Sequence, residues 1–377
     1  MHKGENFIMS MFFIMPIAIC IYEIFSLILP LKISVWTKIF ASLILLAGLL
    51  KIFLYRRTST GFDMIELPYY ANVIISCIFN FIIVALFILL LKDIAFIIWR
   101  VILRQHFNLH YASLAVLILA SCSTLYGTYE GMRVPDVKTH EVKINGLAKD
   151  FDGMRIAMLV DIHASSLNNH KFVQAIVERT NALNPDLILI PGDFADGQVK
   201  TRYADVEPLK NLKAKYGVYG TTGNHEYYFD FAGWMNRFKE LGINMLENEH
   251  VIIESGDAKL IIAGVPDQTG GNHNTELAVK NIPENVPVIL MDHRPEAARE
   301  NAKYNISLQL SGHTHGGQMP GVYELVKRAN NGFVRGWYDV NGMKLFVSPG
   351  TSQWTGFQLR LFDPSEITLL VLRHVNN

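Results

Sequence analysis

Five clusters follow one another in the second half of this chain: Asp161-Ile-His163, Gly192-Asp193-Phe-Ala-Asp196, Gly223-Asn224-His225-Glu226, His293 and Gly312-His313-Thr-His315. Each offers side chains that bind cations or move protons. Carboxylate, amide and imidazole donors without thiolate suit Mn, Fe or Zn better than Ca. A carboxylate such as Asp193 has two oxygens and can bridge two cations, offsetting their repulsion while both face one phosphate. Asp161 and His163 stand two residues apart, as do His313 and His315, and on an extended segment such pairs point to one face and can grip neighbouring ions. Asn224 is a neutral ligand suited to a site that already carries two carboxylates. His225 beside it can stand outside the ion's ligands and donate to a phosphate oxygen or a leaving group. Alone, Asp193 or Asn224 reads as a turn residue. Five such clusters in order read as a two-metal hydrolase that activates water.

Something must carry these clusters to one place. Four of them directly follow short apolar runs, at residues 155–160, 187–190, 288–291 and 306–310, which read as buried strands. Gly223 follows the strand-like Val218-Tyr-Gly-Thr221. Helical patterns at 172–183 and 231–241 alternate with the runs, which predicts βαβ units. After His315 come short strands at 338–340, 344–348 and 367–372, with Asn341-Gly342 as a hairpin turn. The expectation is two sheets packed face to face with helices outside, their polar strand ends on one rim.

The first third is different. Hydrophobic residues make up 50% of the 377-residue chain and the mean hydropathy is +0.21, yet the excess lies before about residue 130. Apolar stretches at 7–29, 38–55, 70–91 and 111–126 approach the roughly 20 residues that cross about 30 Å of hydrocarbon. This predicts an N-terminal α-helical transmembrane bundle of four spans in residues 1–132, followed by the soluble domain at 133–377. Trp36, Tyr55-Arg56-Arg57 and Trp99-Arg100 mark interfaces, while Lys and Arg on both sets of loops leave the orientation open. An even number of crossings puts the amino terminus and the soluble domain on one side. Glu23 within a span and Asp93 just beyond one are costly in lipid unless they face other helices or headgroups. Cys20, Cys77 and Cys122 all lie in the apolar stretches, so the soluble domain has neither disulfides nor a thiol nucleophile. With 34 basic and 34 acidic residues the chain has no electrostatic footprint for nucleic acid.

Taken together, the clusters resemble the signature of the calcineurin-like metallophosphoesterase superfamily: Asp-x-His, Gly-Asp-x-x-Asp, Gly-Asn-His-(Asp/Glu), a lone His and Gly-His-x-His. The resemblance covers about residues 140–373. It implies an α/β domain of two mixed β-sheets sandwiched by helices, holding two divalent metal ions (Mn, Fe or Zn). By position, Asp161, His163 and His315 would hold the first ion and Asn224, His293 and His313 the second, with Asp193 bridging. His225 would be the acid or transition-state stabiliser, and Asp196 would orient its neighbours. Ser311-Gly-His-Thr-His-Gly-Gly-Gln318 resembles a bacterial subgroup of membrane-associated or exported phosphoesterases. In that subgroup the fourth cluster often reads Ser-His-x-Pro-Asp; here it is Asp292-His293-Arg294-Pro295-Glu296, and Arg294 becomes a candidate contact for a substrate phosphate.

The implied reaction is hydrolysis of a phosphodiester or pyrophosphate, with a lipid-linked ester such as a UDP-diacylsugar and a soluble metabolite as the two candidate substrates. Membrane lipids are the expected partners. The exported relatives point to the outer side of the bacterial cytoplasmic membrane. The competing readings are a transporter or sensor regulated by the soluble domain, and a non-catalytic interaction module. Filled ligand positions argue against the module, and few polar residues in the spans argue against the transporter.

Overall fold

The computed structural model describes residues 15–375 except Leu54, Ser59 and Thr60. The chain divides into two units, one drawn from residues up to 56, 65–129 and 356–359, the other from 57–64, 130–355 and 360 onward.

The first unit contains helices α1 (Met15–Ile28), α2 (Val35–Ile52), α3 (Tyr69–Ile102) and α4 (Leu109–Met132). Among the described residues three of these, not four, are long and apolar enough to cross a membrane; α1 is a shorter apolar helix, and residues 7–14 of the expected first span lie outside the described residues. The parity argument for sidedness therefore falls. Helix α3 runs well past the expected end at 91, carrying Lys92 and Asp93 inside it. Their polar atoms are satisfied by neighbours: Lys92 Nζ donates to Ser26 Oγ (2.7 Å), and Asp93 Oδ2 accepts from Tyr22 Oη (2.5 Å) and Ser26 Oγ (2.7 Å). An ion pair of 3.1 Å joins the two residues. Satisfying such groups internally is what lets them continue a helix among apolar neighbours.

The second unit holds two six-stranded sheets. A hairpin of β1 (Tyr55–Thr58) and β2 (Gly61–Met64), unforeseen in the sequence, precedes α3. In chain order come β3 (Asp136–Ile144), β4 (Arg155–Met158), α5 (His170–Ala182), β5 (Leu187–Pro191), β6 (Val218–Thr221), α6 (Asn224–Phe229), α7 (Phe231–Glu240), β7 (Asn244–Met245), β8 (Glu249–Ser255), β9 (Ala258–Gly264), β10 (Val288–Met291), β11 (Leu308–Ser311), β12 (Gly336–Val340), β13 (Met343–Val347) and β14 (Glu366–His374). One sheet has the order β3-β14-β4-β5-β6-β7 and the other β12-β13-β11-β10-β9-β8. Both are mixed: β4, β5, β6 and β7 run parallel while β14 is antiparallel to β4, and β9, β10, β11 and β13 run parallel between antiparallel β8 and β12.

Period-two alternation explains why the strands read as continuous apolar runs, since both faces are covered. Ile156, Met158, Leu187, Leu189, Ile289 and Met291 meet in the core between the sheets. Ala157, Leu159, Ile188 and Ile190 face outward onto Val173, Ile176, Trp234 and Phe238 of α5 and α7. Val288 and Leu290 pack with Ala298 and Phe333 on the far side of the second sheet. Strands pinned on both faces fix the loops at their carboxy ends, and pairing continues into those loops: Asp161 N donates to Gly192 O (3.2 Å), His163 N to Asp193 O (3.1 Å) and Gly312 N to His293 O (2.9 Å).

Candidate metal centre

The five clusters do converge at strand ends, but not by extended geometry. Asp161 (φ 55°), His163 (φ 44°), Asp193 (φ 56°), His313 (φ 68°) and His315 (φ 47°) all occupy the left-handed region, and among the described residues no other Asp or His does. The sequence expectation that Asp-x-His and His-x-His pairs share a face of an extended segment is thus corrected. Left-handed residues turn the chain sharply at each strand end and aim consecutive ligands inward, a conformation that non-glycine residues adopt rarely and mostly as Asn, Asp or His. Two glycines make room for it. A Cβ on Gly223 would lie 2.1 Å from Asp193 Oδ1, and one on Gly312 would lie 2.5 Å from Asp161 Oδ2.

Three sets of donor atoms lie within 4.8 Å of one another: Asp161, His163 and His315; His163, Asp193 and His225; Asp193, His293 and His313. Asp193 Oδ2 is 3.6 Å from His163 Nε2 and 3.3 Å from His293 Nε2. The rings are held from behind. His163 Nδ1 (2.8 Å) and His225 Nδ1 (2.6 Å) both donate to Asp196 Oδ1. His293 Nδ1 donates to Pro191 O (2.8 Å) and His315 Nδ1 to Ser352 O (3.3 Å). Such bonds fix the tautomer and turn Nε2 toward the centre.

The buried donors fit a divalent cation. Within the described residues His163 Nε2, His293 Nε2 and Asn224 Oδ1 are buried without a hydrogen-bond partner, an arrangement that costs free energy unless a ligand completes it. Protonation tells the same story. Burial works to raise Asp193, yet the charges of His293 and His225 hold its carboxyl well below the usual range. Burial works to lower His293 and His225, but the surrounding carboxylates, Asp193 first among them, together push them up to about 10 and about 9. His313 is driven down to about 3 by burial and by the charges of His293 and Arg294. The carboxylates thus draw protons where a cation would otherwise serve.

Arg294 does not stand free for a phosphate: its Nε donates to Asp267 Oδ2 (2.8 Å) and its Nη2 to Thr269 Oγ1 (3.1 Å). Asp292 turns away into a buried network, accepting from Asn301 Nδ2 (2.7 Å) and pairing with His273 (3.1 Å). Three further residues support the centre in roles the sequence does not assign. Glu226 accepts from the amides of Gly223 (2.8 Å), Phe194 (2.9 Å) and Asp193 (3.1 Å), clamping the Asp193 turn to the start of α6. Its signal was present as a capping-box spacing from Gly223. Thr355 donates its N–H (2.8 Å) and hydroxyl (2.5 Å) to Asp196 Oδ2, and Arg360 donates to His315 O (3.0 Å) and Ser352 O (2.9 Å). These two have no local signal, since Thr355 lies 159 residues from its partner.

Two packed mixed sheets that close on a buried Asp, His and Asn set define a metal-binding α/β hydrolase domain. The family model for calcineurin-like phosphoesterases matches residues 154–317. The chain is similar to a metallophosphoesterase of Campylobacter jejuni, 34% identical over 283 residues that cover 73% of this chain and 72% of that one. It is also similar to the "transmembrane protein with metallophosphoesterase domain" of Danio rerio (33% over 271 residues, 68% and 62%) and of Bos taurus (33% over 280 residues, 69% and 62%). The matched region thus spans 62% of the length of these two vertebrate relatives. This chain belongs to the calcineurin-like metallophosphoesterase family, whose members depend on metal.

Proposed function

We propose that the chain is a membrane-anchored phosphoesterase that cleaves a phosphodiester or pyrophosphate bond with two divalent ions, Mn, Fe or Zn. Residues 1–132 serve as the anchor and 133–377 as the hydrolase. The observation that carries this reading is Asp193 Oδ2, lying within 3.6 Å of His163 Nε2 and 3.3 Å of His293 Nε2, so that one carboxylate reaches toward two ligand groups. Asp161, His163 and His315 would hold one ion, and Asn224, His293 and His313 the other. When bound, the ions supply charge neutralisation to the phosphate oxygens and acidify water near neutral pH.

His225 is the general acid in this reading. Its Nδ1 is fixed by Asp196 at 2.6 Å and its Nε2 is 3.9 Å from Asp193 Oδ2, so the ring is oriented to give a proton from Nε2 to a leaving oxygen. Asp196 orients both His163 and His225. Arg294 would meet a substrate phosphate only by giving up its bonds to Asp267 and Thr269.

The first strand of the domain, β3, begins four residues after α4 ends, at Asp136 after Met132. So short a tether from an apolar helix favours a lipid-linked ester, such as a UDP-diacylsugar, over a freely diffusing one. Relatives named as transmembrane proteins support a membrane location, and the outer face of a bacterial cytoplasmic membrane is our reading of it. The test is to purify the full chain in detergent, count bound transition metal, load Mn²⁺ and compare a UDP-diacylsugar, bis(4-nitrophenyl) phosphate and 4-nitrophenyl phosphate. We expect two ions per chain and fastest turnover of the lipid-linked substrate. A preparation that binds no transition metal and cleaves none of the three sinks the proposal.

A further inference from the structure

We propose that Trp354 and Tyr228 form an apolar wall on the leaving-group side of the centre and select phosphodiesters whose leaving group carries a bulky apolar body. This rests on the reading that His225 protonates the leaving atom: whatever flanks His225 then flanks the departing group.

Beyond the His163 ring at 4.6 Å, three apolar-bodied rings surround the His225 imidazole, with centroids at 5.3 Å (Tyr228), 6.1 Å (Phe229) and 6.2 Å (Trp354). Phe229 is buried, whereas Tyr228 and Trp354 are half-buried, as is His225 itself. The two half-exposed rings come from separate elements, and both are fixed to the metal centre. Tyr228 lies four residues after Asn224 and three after His225 on α6, the spacing that puts side chains on one helix face. Trp354 directly precedes Thr355, whose N–H (2.8 Å) and hydroxyl hold Asp196 Oδ2. The backbones that carry both rings are thus anchored beside the acid they flank.

Their chemistry sets what they recognise. An indole and a phenol present flat apolar faces whose removal from water is favourable by about 25 cal/mol per Å². The carboxylate that touches His225, Asp196, bonds its Nδ1 (2.6 Å), so beside Nε2 an alkyl or aryl body would gain more from covering the two ring faces than a small hydrated alcohol would. In the step, the water oxygen forms the new bond to phosphorus and the bond from phosphorus to the leaving atom breaks. That atom takes its pair of electrons and a proton from His225 Nε2, and the water gives up a proton that later restores the imidazolium.

The experiment uses the full chain in detergent with Mn²⁺ and three O-methyl phosphorothiolate diesters that release 2-hydroxyethanethiol, octanethiol or thiophenol, each read with a thiol reagent. Trp354→Ala and Tyr228→Ala should each lower kcat/KM for the octyl ester, the phenyl ester or both by about tenfold or more, chiefly through KM. The loss on the hydroxyethyl ester should be at least about fivefold smaller. A loss confined to the octyl ester identifies a hydrocarbon leaving group, and one confined to the phenyl ester an aromatic one. Trp354→Phe should recover most of the selectivity. Because the two alanine variants sit on different elements, one that fails to fold leaves the other as the test. Equal losses on all three esters, or none on any, overturn the wall while the hydrolase reading stands. A wild-type chain that binds Mn²⁺ but releases none of the thiols removes both.

Discussion

The two sheets do not contribute alike to the centre. Loops of the β3-to-β7 sheet bring every carboxylate, Asp161, Asp193 and the supporting Asp196, together with His163 and Asn224. The β8-to-β12 sheet brings only imidazoles, His293, His313 and His315. The anionic side is held by backbone amides: His225 N donates to Asp193 Oδ1 (2.9 Å) and His313 N to Asp161 Oδ2 (3.1 Å). The imidazole side is held by carbonyls, Pro191 O and Ser352 O. The carboxylate ligands come from one sheet while the other contributes only imidazoles, so an ion that takes ligands from both would tie the two rims together. The difference teaches that the site needs both sheets: neither rim alone offers the full set of donors.

The comparison can be broken at its anionic end first. Asp193→Asn should strip the bound metal and lower hydrolysis by more than about 100-fold, beyond the loss expected for residues that merely orient ligands. Metal analysis and initial rates check this, and a variant that keeps both ions would show that charge on this sheet is not what recruits them. Next, His225→Ala should reduce turnover by roughly 10²- to 10⁴-fold with metal content kept. Unchanged kcat there would remove His225 as the acid. If ions join the sheets, Mn²⁺ at about 100 times its Kd should stabilise the wild-type domain by about 2.7 kcal/mol against thermal unfolding. His313→Ala, which removes a ligand from the neutral sheet, should blunt that gain in a melting curve.

Proton competition sharpens the same contrast. His293, held up to about 10 by Asp193 once burial is overcome, carries a proton at pH 7 that a cation must displace. Apparent affinity should therefore rise with pH, by about one decade per unit for each proton released, between pH 6 and 8. Competition against a chelating dye reads the slope, and a flat or falling profile contradicts it. The smallest effect is expected at Thr355→Val, where loss of the hydroxyl bond to Asp196 should weaken catalysis by roughly fivefold, about 1 kcal/mol. Kinetics at saturating metal would detect it.

The strands were legible because both faces of β4, β5 and β10 are buried, which leaves an unbroken apolar run ended by a polar ligand. The ligands were legible for the same reason, as polar residues placed where such runs stop. How they converge was not, because residue types reveal Asp161 and His163 but not the left-handed turns that aim them. Edge strand β8 was missed because Glu249, His250 and Glu254 break its apolar alternation. The length of α3 was misjudged at Lys92 and Asp93, whose partners Tyr22 and Ser26 lie on another helix and are invisible to a local window. Thr355 and Arg360 belong to an irregular stretch with no period at all, so only tertiary pairing exposes their part.

The five left-handed ligands have a further consequence for how such a chain can age. Each position costs on the order of 1 kcal/mol of backbone free energy in a residue that carries a Cβ, and the buried carboxylates add repulsion of their own. Replacing them with glycine or asparagine would relax the loops rather than break them. Selection for the metal-free fold alone would erode this centre, and a descendant without these ligands should melt above the metal-free form of this domain.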